Sequence, residues 1–165
     1  MKKIAHDHFN KNVFNMIGSD WLLLTAKKDG RVNTMTASWG GLGILWNKKV
    51  AYIFIRPQRY TREFVDCADK LSISVLPNSY RKELGYLGRV SGRDEDKISN
   101  ANLTMKKYED VPYFDEARLI LICKKLYAQE LKEECFIDKD IIDEWYPERD
   151  YHIMYVVEIE KILEK

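Results

Sequence analysis

The chain has 165 residues, of which 45% are hydrophobic and 32% charged, and its formal net charge is +1. This composition is typical of one globular domain, residues 1–165, and the near-zero charge excludes a general electrostatic attraction to nucleic acid or to an anionic membrane. No apolar run has the length that spans a bilayer, and the amino-terminal segment lacks the apolar stretch of a signal peptide. We therefore expect a cytoplasmic protein without membrane or nucleic-acid partners, in which Cys67, Cys123 and Cys135 are free thiols.

The first half of the chain predicts a β-hairpin followed by a strand and a helix. Trp21–Ala26 is an apolar strand candidate, and the Asp-Gly pair at residues 29–30 is a hairpin turn signal, so Arg31–Ser38 should return as the second strand. We expect this strand to run directly into a loop, because the segment Asn33–Gly43 is rich in small residues and glycine. The remaining elements predicted for this half are a strand at Lys49–Ile55 and a helix at Thr61–Ala68.

The second half predicts further strands with short helices between them. The elements, in order, are a strand at Lys70–Leu76, a helix at Tyr80–Leu87 with Ser79 as its N-cap, a helical turn around Glu95–Ala101, a loop at Leu103–Glu116, one or two strands in Ala117–Leu131, a helix at Asp138–Trp145 and a long strand at Tyr151–Leu163. This pattern favours a closed antiparallel barrel with helical decoration, although periodicity alone does not distinguish it from an open α+β sheet.

The segment Arg56–Thr61 predicts a site for an anion. It ends a strand and begins a helix, and it carries Arg56 and Arg59. The first amides of a helix lack intrahelical partners, the helix dipole favours negative charge there, and a guanidinium can bind two phosphate oxygens at once. The alternative is a solvated turn whose arginines lie in water, and the adjoining small-residue segment favours the phosphate site over it.

His6, Asp7 and His8 suggest a metal site at first sight. A zinc site needs at least three protein ligands, and no cysteine or second histidine cluster lies near these residues in the sequence. We therefore predict no metal, and no nucleophile–base pair or Walker-type loop competes with the phosphate site.

Several short motifs occur in the order in which a known family carries them. They are Asn33–Gly40 (NTMTASWG), Ile55–Thr61 (IRPQRYT) followed by Phe64, Ser91–Lys97 (SGRDEDK) and Tyr151–Tyr155 (YHIMY). Through them the chain resembles, from about Asn33 to Lys161, the flavin reductase-like, FMN-binding split-barrel family that includes flavoredoxin. The resemblance implies a mainly β fold with helical decoration, namely a Greek-key antiparallel split barrel, and FMN as the cofactor.

The resemblance and the residue types together assign the cofactor-binding residues. FMN has a phosphate dianion, a flat aromatic ring and a ring edge that gains negative charge on reduction. The phosphate and ribityl end is assigned to Arg56, Arg59, Tyr60 and Thr61. The ring is assigned to a stretch of short side chains whose backbone amides can donate to its edge, with one tryptophan at the end: Thr34, Met35, Thr36, Ala37, Ser38 and Trp39.

Four of the assigned residues have two interpretations each. The resemblance places Ser91, Gly92 and Lys97 near the flavin, but charge runs such as SGRDEDK are usually solvated surfaces. It also makes His152 the catalytic candidate, as a hydrogen-bond donor or a proton relay, whereas a histidine at the start of a strand is more often structural.

Two aromatic residues of the motifs have alternative roles as well. Trp39 either stacks near the flavin or fills a hydrophobic gap, and Phe64 fits the core better than a cofactor contact.

Three functions fit these residues. The leading one is an FMN-binding oxidoreductase that works as a flavin reductase with NADH or NADPH as electron donor. The second is a flavoredoxin-like carrier that exchanges electrons with a redox partner protein, and the third is a non-catalytic protein of the same fold that binds flavin or another ligand. The resemblance also implies a homodimer built around two flavin sites.

Overall fold

Antiparallel strands dominate the computed structural model, which describes residues 1–165. The strands are β1 (Lys2–Ile4), β2 (Leu22–Lys28), β3 (Arg31–Ala37), β4 (Gly40–Leu45), β5 (Lys48–Ile55), β6 (Lys70–Val75), β7 (Met105–Tyr108), β8 (Val111–Phe114), β9 (Leu119–Glu130) and β10 (Ile153–Glu164). The α-helices are α1 (Tyr60–Cys67), α2 (Arg81–Arg89), α3 (Lys97–Asn100) and α4 (Asp140–Trp145). The prediction of a mainly β protein with helical decoration is confirmed. No helix is both long enough and apolar enough to cross a bilayer.

Strands β2 and β3 form the predicted hairpin, with Lys28 opposite Arg31. The two turn residues, Asp29 and Gly30, have φ angles of 49° and 76°. Positive φ at both central positions is the geometry that an Asp-Gly pair adopts readily and that matches the twist of the strands. The turn is therefore as predicted.

The main sheet has the strand order β3-β2-β6-β9-β10-β5-β4, and β1 pairs with β10. Side chains from both ends of this order, Met35 of β3 and Leu42 of β4, pack into one hydrophobic cluster that contains the fully buried Tyr155 of β10. The sheet is therefore curled around one core. Phe64 of α1 is 2% exposed and packs into this core, as expected from the sequence.

Residues 40–45 form a strand, so the predicted loop is wrong there. Strand β4 pairs with β5, with Gly40 opposite Ile53. Ladder hydrogen bonds need no side chain, and the ring of Tyr52 lies over the missing side chains of Gly41 and Gly43. Gly40 has a φ of 154°, and a Cβ there would lie 2.6 Å from the Tyr52 carbonyl oxygen, so this position requires glycine.

The predicted loop at Leu103–Glu116 is also wrong, because it contains the hairpin of β7 and β8. Pro112 lies in β8, and this strand belongs to a separate sheet of two strands where a proline without an N–H is tolerated. The predicted N-cap at Ser79 is wrong as well. Ser79 lies in a short 3₁₀ turn, and α2 begins at Arg81 without a side-chain cap.

Helix α2 is fixed by a second buried cluster on the other face of the sheet. Leu84 and Leu87 of α2 are at most 1% exposed and pack there with Phe114 of β8. The hydroxyl of Thr36 in β3 also donates to the Leu84 carbonyl at 2.6 Å. These contacts hold the carboxyl end of α2 beside β3.

Candidate cofactor site

A cavity of about 370 Å³ opens where β3 and β5 end and α1 begins. It is lined by Met35, Thr36, Ala37, Ser38, Trp39, Phe54, Arg56, Gln58, Arg59, Trp145 and His152. A cavity of this size is typical of a small-molecule site. It brings together residues of three of the motifs, which lie far apart in the sequence.

Ser38 and Trp39 form the link between β3 and β4 and belong to neither strand. Their backbone N–H groups have no acceptor within the chain. Unpaired amides are rare in folded proteins unless a solvent molecule or a ligand accepts from them. This link is therefore a ready donor site in the wall of the cavity.

Thr34 does not line the cavity. Its side chain is fully buried, and its hydroxyl lies 2.9 Å from that of Thr25 and donates to the Leu24 carbonyl at 3.1 Å. Because side chains alternate along a strand, Thr34 lies on the opposite face of β3 from Met35, which belongs to the main core and lines the cavity.

Arg59 and Lys97 both bind the carboxyl end of α2. Arg59 Nη1 donates to the Gly88 carbonyl at 2.7 Å, and Lys97 Nζ donates to the carbonyls of Leu87 and Val90 at 3.0 and 2.9 Å. Cations are favoured at this end of a helix, because the last carbonyls are unpaired and carry the negative end of the dipole.

No carboxylate neutralises these two cations. Lys97 is 4% exposed, and neither residue forms an ion pair. Burial, and after it the charge of Arg59, lowers the pKa of Lys97 to about 8. Burial also lowers the pKa of Arg59. A buried cation next to a half-buried one, without an anion, is electrostatically unfavourable, so an anionic ligand would stabilise the pair.

The start of α1 adds unpaired donors next to Arg59, which is the residue before the helix. The backbone N–H groups of Tyr60 and Thr61 have no acceptor in the chain, and no side chain caps the helix. Thr61 is 1% exposed, and its hydroxyl oxygen accepts from Asn33 Nδ2 at 3.0 Å. The helix start therefore has unpaired backbone donors at the place where the sequence predicts an anion site.

Gly92 packs directly against this helix start. A Cβ at this position would overlap the amide oxygen of Asn33 and lie 3.3 Å from the ring of Tyr60. The neighbouring hydroxyl of Ser91 accepts from the backbone N–H of Arg93 at 3.2 Å. The structure thus places Gly92 beside Asn33 and Tyr60, next to the start of α1.

Three of the charged residues after Gly92, namely Arg93, Glu95 and Asp96, have partners close by. Arg93 pairs with Glu63 and lies over the ring of Tyr60, with its guanidinium carbon 4.5 Å from the ring centre. Asp96 caps α3 by accepting from the backbone N–H of Ser99 at 3.2 Å. Only Lys97 of this run is turned into the protein and joins Arg59.

Arg56 lies in a different environment from Arg59. Its Nη1 donates to Asp150 Oδ2 at 2.5 Å and its Nη2 to the Trp145 carbonyl at 2.7 Å. The guanidinium also lies 5.1 Å from the ring centre of Tyr146. Arg56 is thus already paired, and it fastens the segment before β10 to the end of β5.

His152 precedes β10 and is 8% exposed. Its Nδ1 is 2.8 Å from the Tyr146 hydroxyl, and its ring centre is 5.1 Å from that of Trp39. Burial, and after it the charge of Arg56, lowers the pKa of His152 to about 4. The ring is therefore neutral near pH 7 and cannot serve there as a charged proton donor.

Phe54, Gln58 and Trp145 line the cavity but were not predicted from the sequence. Gln58 donates to Asp150 at 2.6 Å, and the ring of Trp145 lies 5.2 Å from that of Trp39. The alternation of β5 could have identified Phe54, because Phe54 is two residues before Arg56. Nothing local in the sequence indicates that Trp145 reaches a cavity formed by residues 35–59.

The sequence model of one family, described as the flavin reductase like domain, matches residues 15–164. A search of curated proteins found no match.

Solved structures of several flavin proteins have the same fold. The FMN-binding protein from Thermus thermophilus is 20% identical and has a TM-score of 0.68, with 98% of this chain and 76% of that chain covered. Flavoredoxin from Methanosarcina acetivorans is 22% identical, with a TM-score of 0.69 and coverages of 100% and 76%. The NADH:FAD oxidoreductase SgcE6 of Streptomyces globisporus is 13% identical, with a TM-score of 0.67 and coverages of 88% and 75%. The predicted split-barrel fold is confirmed.

Proposed function

Because the chain belongs to the family of flavin reductase-like domains, we propose that it binds FMN and acts as a flavin reductase with NADH or NADPH as electron donor. The observation that carries the proposal is the pair formed by the half-buried Arg59 and the buried Lys97, which lacks a carboxylate partner and lies beside the unpaired amides of α1. A phosphate monoester carries close to two negative charges at neutral pH, which matches two cations.

The rest of the cavity suits the flavin ring. The unpaired amides of Ser38 and Trp39 can donate to the nitrogen and carbonyl groups along its edge. Donors held in place where negative charge develops stabilise the reduced ring. The bound flavin supplies the hydride and electron chemistry, and the residues of this chain bind it and orient it.

The electron-carrier function remains the second candidate. It is favoured by the similarity to flavoredoxin from Methanosarcina acetivorans. The two candidates differ in whether NADH or NADPH reduces the bound flavin directly.

The visible spectrum of the purified protein, recorded without oxygen before and after addition of NADH or NADPH, tests the proposal. We expect an oxidised-flavin band that bleaches with one of the nucleotides and returns with oxygen or free flavin. Acid release and chromatography should identify the chromophore as FMN. Bleaching by dithionite but by neither nucleotide would contradict the reductase and favour the carrier, and a colourless protein that ignores added FMN would contradict both.

We also propose a homodimer, with the flavin sites near the interface. Strand β4 is an open edge without charged residues, and such edges tend to pair with another chain. Ile44 of β4 and Phe14 beside it are 65% and 89% exposed. Sedimentation should give a dimer at micromolar concentration, and a monomer with FMN fully bound would contradict this proposal.

A further inference from the structure

The carboxyl end of α2 accepts hydrogen bonds from both cations of the proposed phosphate site. Arg59 Nη1 donates to the Gly88 carbonyl, and Lys97 Nζ donates to the carbonyls of Leu87 and Val90. A guanidinium has five N–H donors and an ammonium has three, so four remain on Arg59 and one on Lys97. The last carbonyls of α2 therefore determine where these remaining donors lie, and a shift of this helix end moves both cations.

Two contacts with Thr36 of β3 determine how closely α2 approaches the sheet. The Thr36 hydroxyl donates to the Leu84 carbonyl at 2.6 Å. One turn later in the helix, Gly88 lies against the same side chain, and a Cβ at this position would lie 3.3 Å from the Thr36 Cβ. So close an approach is unusual for a Cβ, and it is possible here because Gly88 has no side chain. Thr36 thus holds α2 at the residue whose carbonyl binds Arg59.

Thr36 also lines the cavity, just before the unpaired amides of Ser38 and Trp39 in the chain. These amides suit the edge of the flavin ring, whereas Arg59 and Lys97 suit the phosphate. The Thr36 side chain is therefore the point where the strand that leads to the ring-edge donors contacts the helix that holds the cations. The separation between the two ends of the site depends on this contact.

We propose that Thr36 and Gly88 are positioning residues that set the distance between the ring-edge donors and the two cations, and that they thereby make the site selective for FMN over riboflavin. The Thr36 hydroxyl acts on α2 and not on the ring, because its proton is already donated to the Leu84 carbonyl. The identity of the ligand as a flavin rests on the proposed function, whereas the positioning of Arg59 and Lys97 through α2 does not.

The test compares the FMN and riboflavin affinities of the wild-type protein and of Thr36→Val, measured by quenching of flavin fluorescence. A methyl carbon approaches a carbonyl oxygen to only about 3.3–3.6 Å, so this variant removes the donor to Leu84 and pushes α2 away from β3. We expect FMN affinity to fall roughly fivefold to tenfold and riboflavin affinity to stay within about twofold, because only the cations move. Thr36→Ser, which keeps the hydroxyl, should restore most of the FMN affinity.

Two further variants separate positioning from a general loss of stability. Gly88→Ala keeps the Thr36 hydroxyl but adds a methyl group 3.3 Å from the Thr36 Cβ. We expect it to lower FMN affinity about twofold to threefold without changing riboflavin affinity. Ser72→Ala is the matched control, because the buried Ser72 hydroxyl also donates to a carbonyl at 2.6 Å, that of Pro112, but lies outside the cavity. It should lower the stability towards urea and change neither affinity.

A Thr36→Val variant that loses FMN and riboflavin affinity equally would overturn the proposal, because the hydroxyl would then act on the ring. An unchanged FMN affinity in both Thr36→Val and Gly88→Ala would overturn it as well, and Gly88→Ala decides alone if Thr36→Val does not fold.

The proposed function fails if the wild type binds neither flavin, and inorganic phosphate then decides the positioning. We expect phosphate to shift the amide NMR signals of Tyr60 and Thr61 in the flavin-free protein, and Thr36→Val to weaken this binding by a factor similar to that for FMN. Absence of phosphate binding to the unmodified chain, or equal binding to both proteins, would overturn the proposal.

Discussion

Arg56 and Arg59 belong to one short segment, but the fold places their guanidinium groups in opposite electrostatic surroundings. Arg56 is neutralised by Asp150 and is also bonded to the Trp145 carbonyl. Arg59 has a backbone carbonyl and the cation of Lys97 as its neighbours. The difference teaches that a basic motif identifies candidates for an anion site, and that partners from distant parts of the chain decide which arginine is free to act.

The comparison also gives the two arginines different tasks. A paired arginine at the start of the segment holds the Trp145–His152 side of the cavity in place. Arg59 has no carboxylate partner and lies beside the buried Lys97, so binding of an anion there is electrostatically favourable. The predictions below are designed to break this division or to sharpen it.

The largest expected effect follows from removing Arg59. We expect Arg59→Ala to weaken FMN binding about tenfold to hundredfold, because a hydrogen bond to a charged group contributes roughly 1.5–3 kcal/mol. Quenching of flavin fluorescence during titration measures the affinity. Arg62→Ala is the control, since Arg62 lies in the first turn of α1, three residues after Arg59, and pairs with Asp66. An unchanged FMN affinity would mean that Arg59 only binds the carboxyl end of α2 and does not contact the phosphate.

A smaller effect is expected from pH, through Lys97. Its pKa is about 8 in the free protein, and a bound phosphate dianion raises it, so FMN binding takes up a proton when the pH lies above 8. FMN affinity should therefore fall as the pH rises, by about fivefold between pH 8 and pH 9.

The variant Lys97→Met separates this effect from other titrations. Its FMN affinity should be lower at pH 7 and flat between pH 7.5 and 9. A wild-type affinity that stays constant over this range would show that Lys97 does not meet the phosphate.

The smallest effect on FMN affinity is expected for Arg56→Ala, less than about threefold. We expect this variant to lower the free energy of unfolding instead, because the Asp150 side chain is only 19% exposed and loses its charged partner. A charged hydrogen bond of this kind contributes about 1.5–3 kcal/mol to the free energy of unfolding. Urea unfolding measures this loss in the free energy of unfolding. If Arg56→Ala weakened FMN binding as much as Arg59→Ala, the result would show that Arg56 also binds the phosphate.

Local signals in the sequence predicted much of the fold. The Asp29-Gly30 turn is fixed by the φ angles of two neighbouring residues, so a hairpin could be read from a few positions. Strand β4 could not be predicted in this way, because its glycines are covered by the ring of Tyr52 on the next strand. The β7–β8 hairpin was missed for a similar reason, since Pro112 argues against a strand unless the strand lies at an edge.

The residues of the candidate site also fall into two groups, those that the sequence predicts and those that it does not. The segments Thr34–Trp39 and Arg56–Thr61 were predicted because their residue types suit a ring edge and a phosphate, and Met35–Trp39, Arg56 and Arg59 line one cavity. Asp150 and Trp145 were not found, because they act through contacts with residues about ninety positions earlier. The buried position of Lys97 is equally invisible in a run of charged residues, where solvent exposure is the usual expectation.

The central claim is that Arg59, Lys97 and the start of α1 bind a phosphate group. Comparing the affinities of FMN and riboflavin, which differ only in that group, tests it most directly when the titrations are made with wild-type protein and with the Arg59→Ala, Lys97→Met double variant. We expect the wild type to prefer FMN strongly and the double variant to bind the two flavins with nearly equal affinity, while its riboflavin affinity stays close to that of the wild type. A wild-type protein that binds riboflavin as tightly as FMN would contradict the claim.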